Sequence, residues 1–292
     1  MEITREKTIV GFIGLGVMGH SMAGHLLDAG FKLNVYNRSA SKADDLVEKG
    51  AVLEASVQDL AKKSDVIIAI VGFPADVEEV FSGEGGVLEN ARPGSIAIDM
   101  TTSEPALAMT LYDKGKQRGI HVLDAPVSGG DLGAKNATLS IMVGGDHQTF
   151  EAALPIFEIM GKNIVYQGKA GAGQHTKMAN QIAIAAGMVA VCESLAYAQR
   201  AGLNPQTVLE SIGQGAAGSW SLNNMGPRII NQDDQPGFFI KHFIKDMGIA
   251  AASSKRMGLE TPGLDLALSL YRKMADRGLE NNGTQALYKL FQ

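Results

Sequence analysis

The sequence predicts an α/β fold, a doubly wound and mostly parallel sheet over residues 1–168, followed by an all-α domain over residues 169–292. Three observations carry this. Short apolar runs alternate with amphipathic stretches through the first half, the βαβα rhythm of a sheet covered on both faces. The opening apolar run passes straight into a glycine-rich turn. From residue 171 onward the signals are helical, with no convincing strand.

In order, residues 8–13 read as the first strand, 18–29 as a helix stopped by Gly30, and 32–36 as the second strand. Residues 41–49 and 56–62 read as short helices. Residues 65–71 are almost continuously apolar, as in a parallel strand buried on both faces. Strands at 95–99, 121–124 and 139–143 complete the sheet, with an amphipathic helix at 104–118. In the second half, a long helix over 175–200 ends at Gly202, and further helices are expected at 205–213, 245–257, 263–277 and 284–290. The apolar face of the long helix (Ile182, Ala185, Ala186, Val189, Ala190, Ala196) is hard to bury within one small domain, which suggests a homodimer or homotetramer.

The turn after the first strand is Gly14-Leu15-Gly16-Val17-Met18-Gly19, a GxGxxG between a strand and a helix. Gly14 permits the sharp turn, Gly16 lets backbone approach a pyrophosphate, and Gly19 allows close packing of helix on sheet. The helix N-terminus adds unpaired N–H groups and a partial positive charge for the phosphates. An ordinary tight βα turn is the plainer alternative. The second strand ends in Asn37-Arg38-Ser39, where an acid would bond the ribose 2′-hydroxyl of NAD. A guanidinium there suits a 2′-phosphate, so NADP(H) is the expected cofactor and NAD(H) the lesser one, unless Arg38 is a plain surface arginine.

Bulk properties narrow the class. At 292 residues the chain has room for two cores. Its net charge of −5, without a basic block, argues against nucleic acid or an anionic membrane as partner. The single cysteine, Cys192, excludes a disulfide framework and a zinc cluster, and no metal site is expected. Glu2, Arg5, Glu6 and Lys7 give the start no signal-peptide character. The apolar stretch 182–192 is too short to span a bilayer. A cytoplasmic setting is expected.

Candidate chemistry lies in the loops beyond the strand ends. Phe73-Pro74 follows the 65–71 strand and reads as a turn beside the cofactor or a plain loop. Thr102, after the 95–99 strand, is placed to touch the cofactor; Thr102 or Ser103 equally suits an N-cap for the next helix. Ser128-Gly129-Gly130 exposes successive backbone N–H groups, a nest for a substrate carboxylate or a flexible turn. In the junction segment 171–181, Lys177, Asn180 and Gln181 fall on one helix face. A lysine near a helix start, partly buried, would have a lowered pKa suited to general acid/base work; a surface lysine is the alternative. Lys245-Asp246, at a predicted helix start, is either a cofactor contact or a surface pair. Trp220, ahead of Ser221-Leu222-Asn223-Asn224, is a selectivity element or a core residue.

With these motifs together, the chain resembles the β-hydroxyacid dehydrogenase family over nearly its whole length. The resemblance rests on the GFIGLGVMG turn (11–19), the DAPVSGG loop (124–130), the 171–181 segment and Lys245-Asp246. It implies a Rossmann domain with an all-α domain of the 6-phosphogluconate dehydrogenase-like type, whose long helix builds a dimer. It implies Lys177 as the catalytic acid/base and Ser128 and Gly129 as holders of a small carboxylate substrate. Thr102 and Lys245 are implied as cofactor contacts, and Asn-Arg-Ser after the second strand as an NADP(H) signature. Many members carry asparagine where this chain has Gln181, so assignment to 3-hydroxyisobutyrate is open; members similar to tartronate semialdehyde reductase share Asn-Gln. An imine reductase of the same fold and a non-catalytic nucleotide-binding protein are the alternatives. Lys177 counts against the first, and the intact Ser128 and Lys177 set against the second.

Overall fold

A computed structural model describes residues 2–292. The chain divides after Lys177 into two compact units.

The first unit holds a nine-stranded sheet. Its strands are β1 (Ile9–Ile13), β2 (Lys32–Tyr36), β3 (Val52–Leu53), β4 (Val66–Ala69), β5 (Ile96–Asp99), β6 (His121–Asp124), β7 (Val127–Ser128), β8 (Leu139–Gly144) and β9 (Gly161–Gly168). The order is β3-β2-β1-β4-β5-β6-β8-β7, with β9 on β8. The pairs from β3 through β6 are parallel, whereas β8 runs antiparallel to β6 and β7. The doubly wound, mostly parallel sheet expected from the sequence is therefore present. Helices α1 (Gly19–Asp28), α2 (Asp44–Glu48), α3 (Val57–Lys63), α4 (Pro74–Ser82), α5 (Val87–Asn90), α6 (Pro105–Gln117), α7 (Gly130–Lys135) and α8 (His147–Met160) connect the strands.

The two-residue period of the strands makes two cores. On one face Val10, Phe12, Leu33, Val35, Ile68, Ile98 and Leu123 meet Met22 and Leu26 of α1 and Ile156, Phe157 and Met160 of α8. On the other, Ile13, Ile67, Ala69, Ala97 and Val122 meet Leu60 of α3, Phe81 of α4 and Leu111 of α6. Burial on both faces is why these strands read as continuous apolar runs.

Several elements escape the sequence reading. Helix α4 opens on Pro74, which occupies its first turn and looks like a loop residue in isolation. Helix α8 carries Pro155 inside it. Strand β9 pairs along β8 but is polar and half-exposed. Helix α6 starts at Pro105 with Glu104 at its cap and no side-chain cap, so neither Thr102 nor Ser103 serves there.

Helix α9 (Ala172–Arg200) begins in the first unit and continues as the first helix of the second. It is long and apolar enough to cross a membrane by length and composition, and half of that window is buried within the fold. The second unit adds α10 (Pro205–Ile212), α11 (Trp220–Ile230), α12 (Ile240–Arg256), α13 (Pro262–Asp276) and a 3₁₀ helix at Thr284–Leu290. Met188, Cys192 and Leu195 of α9 pack with Phe243, Met247 and Ala250 of α12 and with Leu268, Tyr271 and Met274 of α13. The Tyr271 hydroxyl donates to the Thr284 carbonyl at 2.9 Å, satisfying its only polar atom in this core. Helix α11, unforeseen because Gly226 and Pro227 interrupt it, is capped by Ser219, which accepts from the Leu222 N–H. Trp220 is 54% exposed, so it is not a core residue.

Candidate functional site

The glycine turn fits a dinucleotide. Gly14 holds φ at +96°, and a Cβ there would strike the Ile70 carbonyl oxygen. A Cβ on Gly19 would fall onto the Gly14 carbonyl oxygen and lie 2.8 Å from Ile70 Cγ2. A Cβ on Gly16 would meet nothing within 4 Å, so its missing side chain leaves open space where a pyrophosphate can approach backbone. Leu15, Val17 and Met18 complete the turn, and Val17 is exposed. The Leu15 N–H donates to Asn37 Oδ1 at 2.9 Å, and Asn37 Nδ2 donates to the Ser39 carbonyl at 2.9 Å. One amide thereby ties the glycine turn to the loop after β2 that carries Arg38 and Ser39. These residues fit the adenosine and pyrophosphate part of a nicotinamide dinucleotide.

The loops after β4, β5 and β6 are sewn to the head of α9 by buried polar groups. Thr101 Oγ1 accepts the Val71 N–H at 2.9 Å, and the Thr101 N–H donates to Asp99 Oδ1 at 2.9 Å. The Gln174 side chain donates to the Thr101 carbonyl at 2.7 Å and accepts the Ser103 N–H at 2.9 Å. It thus grips the backbone on both sides of Thr102. Asp124, at the end of β6, accepts the N–H groups of Gly171 (2.8 Å) and Gln174 (2.9 Å). These bonds make the first turns of α9 part of the first unit, so the compact units part at Lys177 rather than at the head of the helix. Phe73, exposed, and Pro74 stand at the start of α4.

Lys177 is 6% exposed. The helix begins at Ala172, earlier than the sequence suggests, so Lys177 stands in its second turn. The end charge of a helix fades within one turn, and burial, not the helix dipole, is what sets this lysine apart from a surface lysine. Ser128 ends β7, while Gly129 (φ +132°) and Gly130 (φ +64°) turn the chain into α7. Both angles disfavour any side chain.

Asn180, Gln181, Lys245 and Asp246 belong to the second unit. Asn180 Nδ2 donates to Gln181 Oε1 at 2.7 Å, and Gln181 Nε2 donates to Asp246 Oδ2 at 2.6 Å. Lys245 Nζ lies 2.8 Å from Asp246 Oδ1, with both side chains largely buried. The Lys-Asp pair is therefore an interior one, and both ends of the Gln181 amide already hold a partner. Lys245 sits in the second turn of α12, which begins at Ile240, and not at a helix start as expected.

Burial pushes the Asp124 carboxyl up to about 6, against the lowering pull of the Gly171 and Gln174 N–H groups. Its folded value lies above the ordinary 3.8, so folding takes up a proton between these limits. This group's contribution to stability is fullest below about pH 4 and declines as the pH rises to about 6, beyond which it is constant. A carbon-13 NMR titration of the Asp124 carboxyl is expected to show a midpoint near 6. A midpoint below 4 would mean that the N–H donors outweigh burial.

Comparison with known proteins agrees with this geometry. Residues 9–168 match the family described as the NAD binding domain of 6-phosphogluconate dehydrogenase. Residues 171–291 match that described as NAD-binding of NADP-dependent 3-hydroxyisobutyrate dehydrogenase. An uncharacterised oxidoreductase of Bacillus subtilis is 58% identical, over 98% of this chain and 99% of its own. The chain belongs to the β-hydroxyacid dehydrogenase family. Another relative, the 2-hydroxy-3-oxopropionate reductase of Escherichia coli, is 39% identical over 92% of both chains. A solved structure of Mycobacterium tuberculosis 3-hydroxyisobutyrate dehydrogenase with L-serine is 29% identical, covers 98% of this chain and 99% of its own, and has a TM-score of 0.88. The protein is an NAD(P)-dependent oxidoreductase of the hydroxyacid dehydrogenase type, with a Rossmann domain and a helical C-terminal domain.

Asp99, Thr101, Asp124 and Gln174 do not stand out by residue pattern. A signal exists for two of them. Asp99 and Asp124 each close a buried apolar strand, and a carboxylate there needs donors from elsewhere in the fold.

Proposed function

We propose that this dehydrogenase interconverts a short β-hydroxy acid and its semialdehyde, prefers NADP(H) to NAD(H), and uses Lys177 as general acid/base. The observation that carries the reading is the burial of Lys177 on a helix whose first turns are bonded to the strand-end loops.

A bound nicotinamide dinucleotide would supply or accept the hydride at the carbon bearing the oxygen. In the reducing direction Lys177, as an ammonium, gives a proton to the carbonyl oxygen; in oxidation its amine takes the hydroxyl proton. The Ser128 hydroxyl and the N–H groups of Gly129 and Gly130 hold the carboxylate and fix which face of the carbonyl is presented. Gln174 grips the loop carrying Thr102, which bonds the cofactor. In the second unit Gln181, braced by Asp246, holds the Asn180 amide. Arg38 and Ser39 receive the 2′-phosphate. The names of the relatives support the substrate class, because 3-hydroxyisobutyrate, 2-hydroxy-3-oxopropionate and L-serine are short carboxylates with oxygen on C3.

The test is a panel of C3 and C4 semialdehydes and β-hydroxy acids assayed with both cofactors. The expected result is turnover of at least one semialdehyde with a higher kcat/KM for NADPH than for NADH. No turnover across the panel would overturn the substrate class, and a clear NADH preference would overturn the role of Arg38.

A further inference from the structure

The parallel order β2-β1-β4 puts the loops after β2 and β4 on either side of the glycine turn that leaves β1. Ligands of such sheets bind beyond the carboxyl ends of the strands, so these loops flank the adenosine end of a dinucleotide. An ion pair joins them. Arg38 Nη1, beyond β2, lies 3.3 Å from Asp76 Oδ1, in the first turn of α4. The partners are unequal, for the Arg38 side chain is 80% exposed and that of Asp76 is 19%. Asp76 is also anchored, its Oδ2 accepting the Phe73 N–H at 2.9 Å at the favourable end of the helix. Arg38 is the movable member.

We propose that Asp76 is a specificity-determining residue that competes with the cofactor's 2′-phosphate for the Arg38 guanidinium, restraining NADP(H) affinity and leaving NAD(H) affinity unchanged. The inference rests on the assignment of Arg38 to the 2′-phosphate. A ribose 2′-hydroxyl carries no charge to draw the guanidinium from Asp76, so NAD(H) binds with the pair intact. A 2′-phosphate has to draw the guanidinium from a carboxylate whose own charge opposes it. The phosphate prevails, having more charge and three acceptor oxygens, but the exchange subtracts from its advantage. One carboxylate thereby sets how far the chain discriminates between the two cofactors.

Asp76→Asn keeps a side-chain oxygen for the Phe73 N–H, so α4 stays capped. Isothermal titration calorimetry of the full chain with NADP⁺ and with NAD⁺ reads the effect on binding without turnover. Asp76→Asn is expected to tighten NADP⁺ roughly two- to fivefold, the scale of an exposed ion pair, and to leave the NAD⁺ Kd as it is. In an Arg38→Ala background the same change is expected to give less than half that gain. Equal tightening of both cofactors, no change, or weaker NADP⁺ binding in Asp76→Asn would each overturn the proposal. If Arg38→Ala weakens NADP⁺ but Asp76→Asn does not alter the ratio, only the competition fails. If Arg38→Ala leaves NADP⁺ affinity unchanged, the assignment of Arg38 falls as well.

Discussion

Lys177→Ala is expected to lose about 10² to 10⁴ in kcat, the range that a positioned proton donor contributes. Cofactor affinity should change little, because the glycine turn and the loop after β2 do not involve this side chain. Loss in kcat with retained NADPH binding, read by fluorescence titration, is the pattern of a group acting in the transition state. Small alkylamines added to the variant should restore part of the rate, since they supply the missing ammonium. Activity within tenfold of the unaltered enzyme would remove Lys177 from the acid/base role, and general unfolding, visible in the Tm, would be distinguished by the binding measurement.

Gly19→Ala is expected to damage both stability and cofactor binding. The added Cβ falls onto the Gly14 carbonyl oxygen and against Ile70. Neither neighbour can yield easily. Gly14 already holds φ at +96°, with its own missing Cβ facing the Ile70 carbonyl. The relief is to push α1 away from the turn, which spoils the aim of its N-terminal N–H groups at the phosphates. A methyl forced into a packed site costs about 1–3 kcal/mol, a fall of roughly 2–12 °C in Tm for a domain of this size. Dinucleotide affinity should drop by at least about tenfold, since 1.4 kcal/mol is a tenfold change. Differential scanning calorimetry and a binding titration check the two effects. A variant with the original Tm and Kd would show that α1 is free to shift at this end.

Much of this fold is legible because its signals are local. The glycine turn shows in the spacing of its own three glycines between a strand and a helix, and the strands at β1, β4, β5 and β6 announce double-faced burial in their own composition. Elements with mixed local signals are obscured. Pro155 sits inside α8, yet Ala153, Ile156, Phe157 and Met160 bury against the sheet and hold the helix. Strand β9 has weak alternation and draws its order from pairing with β8. Trp220 would suit a core by composition, but the capped helix it opens turns it outward. At the candidate site, Ser128, Lys177 and the GxGxxG stand out by residue type and spacing. Gln174 does not, because an amide in a glycine-rich junction looks like any loop residue until its partners are known.

Local order thus belonged to the chain itself: the nucleotide turn, the arginine in place of an acid after β2, and the change from alternating elements to helices. Each depends on residues within one or two turns of one another. Tertiary structure decided the rest, because the partners lie far apart in sequence. Gln174 reaches back to Thr101 and Ser103, Asp124 forward to Gly171 and Gln174, and Arg38 across the glycine turn to Asp76. A buried polar group must find a partner or pay its full desolvation cost, and which partner it finds is set by strand order, which no short stretch of sequence contains.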